Sequence, residues 1–158
     1  MQFDDYIFAF DFDGTLVKTT KFINPETNDR NWKQFKLFIN PDAFEINWCI
    51  VTSRPKCDKP KLIECLKRNS AVNYKGIYCQ PHDIPVVHCP EEYEIKANHL
   101  INLMKCQKKR VIYVDNSKHV KLMVRKAVHD ILPQNNNDIL FTDTPKLFKH
   151  FMLKEFDK

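Results

Sequence analysis

A short acidic motif follows the first apolar stretch of the chain and constrains it more than any other feature. Residues 6–10 form an uninterrupted apolar run, typical of a buried strand, and lead directly into Asp-Phe-Asp-Gly-Thr at 11–15. Two carboxylates, Asp11 and Asp13, therefore leave the end of a strand two residues apart. Gly14 permits a sharp turn behind them, and Thr15 offers a hydroxyl to the loop.

Apolar runs alternate with amphipathic segments along the rest of the chain. Strands are predicted at 6–10, 47–51, 76–79, 111–114 and 139–141. Helices are predicted at about 28–39, 60–69 and 93–104, after the capping Ser117, and from Pro145, with a turn at 135–137. This alternation predicts an α/β fold, a parallel five-stranded sheet with helices on both faces, in a single domain over residues 1–158.

Polar residues directly follow three of the predicted strands. Ligands bind beyond the carboxyl ends of strands in such sheets, so we expect Asp11, Thr52 and Asp115 to converge on one edge. One carboxylate can attack phosphorus, and a second can protonate the leaving group and then deprotonate water. Carboxylates facing a phosphate also need a cation. Mg²⁺ typically takes one or two carboxylates together with phosphate and water, and Asp115 is the natural third carboxylate for that ion.

These motifs resemble those of the haloacid-dehalogenase superfamily over nearly the whole chain. The resemblance implies a Rossmann-like core and a phosphatase with a phosphoaspartate intermediate. It assigns catalytic roles to Asp11, Asp13, Thr52 and Lys96. It implies substrate binding by Gly14, Thr15, Ser53 and Arg54, and Mg²⁺ binding by Asp11, Asp13, Asp115 and Asn116. Asn116 stands where the family often has an acidic residue, and Lys118 is a competitor for the role given to Lys96.

Composition excludes several other classes of protein. The chain has two glycines where average usage gives roughly eleven, so neither a dinucleotide fingerprint nor a phosphate-binding P-loop is available. Six cysteines without a signal sequence predict free thiols. No apolar run approaches the ~20 residues of a membrane span, and the N-terminus is acidic. We therefore expect an intracellular, cytoplasmic protein without membrane contact, with a nuclear location left open.

The resemblance favours a nucleic-acid end with a 3′-phosphate, or a nucleotide phosphate, as the substrate, with a phosphoprotein as the alternative. The spacing of the motifs leaves no room for a substantial cap domain, which suits a phosphate presented by a large molecule. Thr52-Ser-Arg54 is similar to the Ser-Gly-Arg of polynucleotide 3′-phosphatases, and the net charge of +5 is compatible with nucleic acid. Residues 114–117 resemble phosphatases of the RNA polymerase C-terminal tail instead. A non-catalytic binding module is the alternative from another class, and the oligomeric state is not predicted.

Overall fold

The computed structural model describes residues 3–18, 35–134 and 138–153 of the chain. Five parallel strands form the main sheet, in the order β5-β4-β1-β6-β7, and two short antiparallel strands, β2 and β3, form a second sheet. The strands are β1 (Tyr6–Phe10), β2 (Val17–Lys18), β3 (Lys36–Leu37), β4 (Trp48–Pro55), β5 (Ile77–Gln80), β6 (Arg110–Val114) and β7 (Ile139–Thr142).

In the part of the chain that the structure describes, four α-helices cover the main sheet: α1 (Lys59–Arg68), α2 (Pro90–Gln107), α3 (Lys118–Ile131) and α4 (Thr144–Leu153). Two of their starts follow sequence signals, because Pro90 opens α2 and the Ser117 hydroxyl accepts a hydrogen bond from the Val120 N–H at the start of α3. Within the described ranges, none of the helices has the length and apolarity that crossing a membrane requires.

Alternate side chains of the strands pack into two apolar layers, one on each face of the sheet. From β1, Phe8 and Phe10 face the layer that holds Leu62 and Leu66 of α1 and Leu147 of α4. Ile7 and Ala9 face the opposite layer, against α2 and α3. Since every residue of β1 is buried, the strand reads as one continuous apolar run in the sequence. The prediction of a parallel five-stranded sheet with helices on both faces is confirmed.

The strand order places β1 at the centre of the sheet, with β4 on one side and β6 on the other. Phe10 pairs with Ile50 of β4 and with Val114 of β6, so the loops after all three strands leave the sheet at the same edge. The chain proceeds from β1 outward through β4 and β5, then returns to β6 on the other side. Such a reversal opens a crevice beyond the strand ends.

The predicted helix over 28–39 is wrong at its carboxyl end. Residues 28–34 lie outside the described residues, but Lys36–Leu37 is β3, which pairs antiparallel with β2. The Phe38 N–H donates to the Leu16 carbonyl at 2.9 Å, so this segment is held by the loop after β1 rather than by helical hydrogen bonds. Phe35 and Ile39 are buried while Phe38 is half exposed, which the helical spacing of apolar residues did not anticipate.

Other boundaries differ by less, with one consequence for the site. Thr52 does not end a strand, because β4 continues to Pro55 with a register shift against β5. The predicted turn at 135–137 lies outside the described residues. Residues 52–96 are all described, and they form the end of β4, a 3-10 turn, α1, β5, a loop and the start of α2, with no inserted domain.

We predict that Asp42→Ala destabilises the fold. One carboxylate oxygen of Asp42 accepts the indole N–H of the buried Trp48 at 2.9 Å, and the other accepts the N–H groups of Val72 and Asn73 at 2.8 and 3.2 Å. Removing the carboxylate leaves these donors without their acceptor, which we expect to cost about 2 kcal/mol of unfolding free energy in urea titrations. Asp83→Ala, in an exposed loop, is the control; an equal loss there would contradict the assignment.

Candidate active site

The loop after β1 is built by short-range backbone hydrogen bonds. The Asp11 N–H still donates to the Val114 carbonyl of β6 at 2.9 Å, as a continuation of the sheet. The chain then turns through Gly14, whose φ of +75° favours glycine, and the Gly14 N–H donates to the Val17 carbonyl at 3.0 Å. This turn holds Asp11 and Asp13 at the edge of the sheet, as the sequence predicts.

A buried ammonium group connects the ends of β1 and β6. Lys96, in the second turn of α2, is 3% exposed. Its Nζ donates to Asp11 Oδ1 at 3.0 Å and to the Tyr113 hydroxyl at 3.2 Å, and it lies 3.9 Å from Asp115 Oδ2. The predicted convergence of Asp11 and Asp115 is therefore observed. Lys118, the competing lysine, is exposed and does not line the cavity described below.

Charge and burial together raise the pKa values of both Lys96 and Asp11. Burial lowers the pKa of Lys96, but the charges of Asp11 and Asp115 and the hydrogen bond to Asp11 raise it by more, so the ammonium form is favoured. Burial, opposed by Lys96 and reinforced by Asp115 and Asp13, raises the pKa of Asp11 to about 6. One ammonium group is shared among several carboxylates and does not fully offset their burial and repulsion.

Arg54 holds the second aspartate of the motif. Its Nε and one terminal nitrogen donate to the two oxygens of Asp13 at 2.7 and 2.8 Å, and its other terminal nitrogen donates to Asp58 at 3.1 Å. The guanidinium also lies about 6 Å from the ring centres of Phe12 and Phe35. A two-pronged arginine contact of this kind fixes the direction of the carboxylate that it holds.

Two hydroxyl groups at the end of β4 face the same region. Thr52 is almost fully buried, and its hydroxyl oxygen accepts the Arg54 N–H at 3.1 Å. The Ser53 hydroxyl is buried and has no hydrogen-bond partner among the residues that the structure describes. A buried polar group of this kind normally carries a partner, so Ser53 is suited to donate to a ligand oxygen.

Asn116 connects three loops at the rim. Its side-chain nitrogen donates to the Gly14 carbonyl at 3.0 Å, and its side-chain oxygen accepts the Thr144 N–H at 2.8 Å. The Asn116 N–H donates to the Thr15 hydroxyl at 3.0 Å, while that hydroxyl lies 3.3 Å from Asp11 Oδ2. Asn116 thus holds the β1 loop against the start of α4. Its predicted role as a metal ligand stays a prediction.

A cavity of about 740 Å³ opens at this edge of the sheet. All ten residues that the sequence predicts for the site line it: Asp11, Asp13, Gly14, Thr15, Thr52, Ser53, Arg54, Lys96, Asp115 and Asn116. Among the described lining residues there are five carboxylates and two side chains of fixed positive charge, the latter being Arg54 and Lys96. The cavity is therefore rich in negative charge.

Three polar residues next to the predicted site residues were not identified from the sequence. Tyr113, buried within β6, donates a hydrogen bond from its hydroxyl to Asp115 Oδ2 at 2.7 Å. Because residues two apart in a strand point to the same face, its position two residues before Asp115 could have indicated this contact. Asp58 lies four residues after Arg54 and contacts it. Glu92 lies one turn before Lys96, and its carboxylate accepts the His88 N–H at 3.3 Å, a variant of helix capping.

The donor set fits a magnesium ion in part. No three His, Cys, Asp or Glu side chains in the described ranges are grouped closely enough to hold a metal by themselves. Magnesium needs only one or two carboxylates when phosphate and water complete its shell, and Asp11 and Asp115 meet that need. Both Asp13 oxygens accept from Arg54, so its carboxylate is already engaged. The negative charge of the cavity favours a divalent ion.

Comparison with known protein families agrees with the geometry. The model of the haloacid dehalogenase-like hydrolase family matches residues 8–158, almost the whole chain. The chain belongs to this family, which confirms the resemblance inferred from the motifs and supports hydrolase activity. A search of curated proteins found no match.

We predict a pH-dependent contribution of Asp11 to stability when divalent ions are removed with EDTA. The folded protein raises the pKa of Asp11 from 3.8 to about 6, so it binds this proton more tightly than the unfolded chain does. The resulting stabilisation is present below pH 3.8 and is lost as the pH rises through about 6. Relative to Asp11→Asn, the wild type should lose on the order of 2 kcal/mol in urea unfolding between pH 4 and 7.5.

Asp130→Asn is the matched control for this comparison, because Asp130 is exposed on α3. If the difference in unfolding free energy between the wild type and Asp11→Asn does not change over the same pH range, the raised pKa of Asp11 is contradicted.

Proposed function

We propose that the protein, acting as one domain, is a magnesium-dependent phosphomonoester hydrolase that works through a phosphoaspartate on Asp11. The single observation that carries this proposal is the contact of one buried ammonium group, that of Lys96, with both Asp11 and Asp115. This contact brings the candidate nucleophile and the candidate metal ligand to one point of the cavity. The remaining predicted residues surround that point and have the chemistry that phosphate transfer needs.

In the first step Asp11 attacks the phosphorus atom and the ester P–O bond breaks. Asp13 gives a proton to the departing alkoxide, so the leaving group departs as an alcohol. Lys96 offsets the negative charge on Asp11 and on the transferred phosphoryl group. Thr52 and Ser53 lie on the cavity wall and offer hydroxyl groups to the phosphate oxygens. Bound Mg²⁺ would supply charge neutralisation between the phosphate and the carboxylates of Asp11 and Asp115.

In the second step a water molecule attacks the phosphorus of the phosphoaspartate, and the bond to Asp11 breaks to release inorganic phosphate. Asp13 accepts the proton of that water and must therefore be ionised beforehand. The bidentate contact with Arg54 fixes the direction of the Asp13 carboxylate. In the first step Asp13 carries the proton, so one of the two hydrogen bonds between Arg54 and Asp13 has to break. The phosphate attracts the same guanidinium group, so its binding is suited to displace that hydrogen bond.

For the substrate we favour a nucleic-acid end carrying a 3′-phosphate, or a nucleotide phosphate. Arg54 stands in the position of the arginine in the Ser-Gly-Arg motif of polynucleotide 3′-phosphatases. The helix that starts close after it, α1, carries four exposed basic residues, Lys59, Lys61, Lys67 and Arg68, together with the exposed Glu64. Exposed basic side chains near a phosphate site are suited to contact the backbone of a nucleic acid.

We predict that Asp11→Asn abolishes magnesium-dependent phosphate release from an aryl phosphate. An amide cannot form the acyl phosphate, so we expect kcat to fall by at least about 10³-fold. Phosphate release would be measured with and without EDTA, and labelled phosphate should become attached to the wild type but not to the variant. Asp130→Asn is the control on an exposed surface. Activity that survives in Asp11→Asn would exclude Asp11 as the nucleophile.

We predict a higher kcat/KM for a 3′-phosphorylated oligonucleotide than for a phosphoserine peptide. We further expect the double variant Lys59→Glu, Lys61→Glu to raise the KM for the oligonucleotide about tenfold at low salt, because it removes backbone attraction. Its turnover of an aryl phosphate should not change.

The double variant Lys105→Glu, Lys126→Glu is matched in charge and is also exposed, on α2 and α3. It should leave both substrates unaffected. Faster turnover of the peptide would favour a protein phosphatase of the polymerase-tail type. Phosphate release from none of the substrates would favour a non-catalytic binding module.

A further inference from the structure

The Tyr113 hydroxyl lies between two groups of opposite charge inside the core. It is 2.7 Å from Asp115 Oδ2 and 3.2 Å from Lys96 Nζ. Tyr113 is fully buried, and its ring packs edge-on against Phe141 with ring centres 6.0 Å apart. The mechanism proposed above gives this tyrosine no chemical role, although its hydroxyl contacts Lys96 and Asp115, which both have one.

Chemistry fixes the direction of both hydrogen bonds. An ammonium group only donates and an ionised carboxylate only accepts, so the single phenol proton points to Asp115 and the phenol oxygen accepts from Lys96. Asp115 Oδ1 meanwhile accepts the Ser117 N–H at 2.8 Å. Each oxygen of Asp115 therefore has one donor from the protein. This leaves the orientation of the carboxylate fixed and its remaining lone pairs available.

The distances also show which carboxylate Lys96 prefers. Its Nζ is 3.0 Å from Asp11 but 3.9 Å from Asp115, and the Tyr113 hydroxyl bonds the Asp115 oxygen that faces the ammonium group. Without that hydroxyl, Lys96 is free to approach Asp115 directly. Such a pair would occupy the carboxylate and draw the positive charge away from Asp11.

We propose that Tyr113 is a positioning residue that orients Asp115 toward a divalent cation and keeps Lys96 on Asp11. The inference rests on the proposed function, because it assumes that Asp115 holds Mg²⁺ and that Asp11 is the nucleophile. Groups that hydrogen-bond metal ligands commonly change metal affinity or activity by about 10- to 100-fold when they are removed. Tyr113 has such a contact, and it reaches the nucleophile through the same lysine.

The test replaces Tyr113 by Phe, which keeps the ring and removes only the hydroxyl. Binding of MgCl₂ alone is measured by titration calorimetry, and aryl phosphate turnover is measured at saturating Mg²⁺. We expect the Kd for Mg²⁺ to rise about tenfold and kcat to fall about tenfold, with KM for the aryl phosphate unchanged within twofold. Unchanged Kd and kcat in an active enzyme overturn the inference and leave the proposed function standing.

Tyr6→Phe is the matched control. Tyr6 is also a buried strand tyrosine whose hydroxyl accepts a hydrogen bond, from Arg110 at 2.9 Å, but it lies at the opposite end of β1. Equal losses in both variants would mean a general effect on the fold and would overturn the positioning role.

A double-mutant cycle with Asp115→Asn tests the route of the effect. If Tyr113 acts through Asp115, adding Tyr113→Phe to Asp115→Asn should change the Kd for Mg²⁺ by less than twofold. Additive changes in Kd would overturn the inference. A wild type that binds no Mg²⁺ would also overturn it, and would contradict the magnesium dependence of the proposed function independently of turnover.

Discussion

Lys96 places a buried ammonium group between Asp11, at the end of β1, and Asp115, at the end of β6, with Nζ–O distances of 3.0 and 3.9 Å. Two carboxylates buried at one sheet edge would repel each other, and burial makes the cost of two unpaired negative charges higher than in water. The ammonium group makes the arrangement tolerable. It does not balance the site completely, which leaves the cavity with an excess of negative charge that suits a divalent ion.

The sheet order creates the position where this interaction forms. With β1 between β4 and β6, three loops leave the same edge, and α2 returns across one face so that Lys96 reaches the space between two of them. The Asn116 side chain donates to the Gly14 carbonyl and accepts from the Thr144 N–H, so hydrogen bonds join the loops after β1, β6 and β7. Precision at the site therefore comes from ordinary backbone and amide hydrogen bonds around its rim.

Arg54 and Asp13 form a second charge pair in the site, which is more exposed than the pair of Lys96 and Asp11. The Lys96 contact is buried and involves the candidate nucleophile, whereas the Arg54 contact with Asp13 is partly exposed. A pair that solvent and substrate can reach is easier to rearrange than one enclosed in the core. The two aspartates of the first motif are thus set apart by their cation partners and by their burial, which matches the different roles proposed for them.

The sequence by itself determined the fold class, the edge at which the site forms and ten of the residues that line its cavity. Continuous apolar strands followed by Asp11 and Asp115 reflect burial on both faces of a parallel sheet, a property that local sequence records. Only the tertiary structure decided how charges are partnered: that Arg54 holds Asp13, that Tyr113 joins Lys96 to Asp115, and that Lys36–Leu37 forms a strand. These outcomes depend on contacts between segments far apart in the chain, and local periodicity carries no information about such contacts.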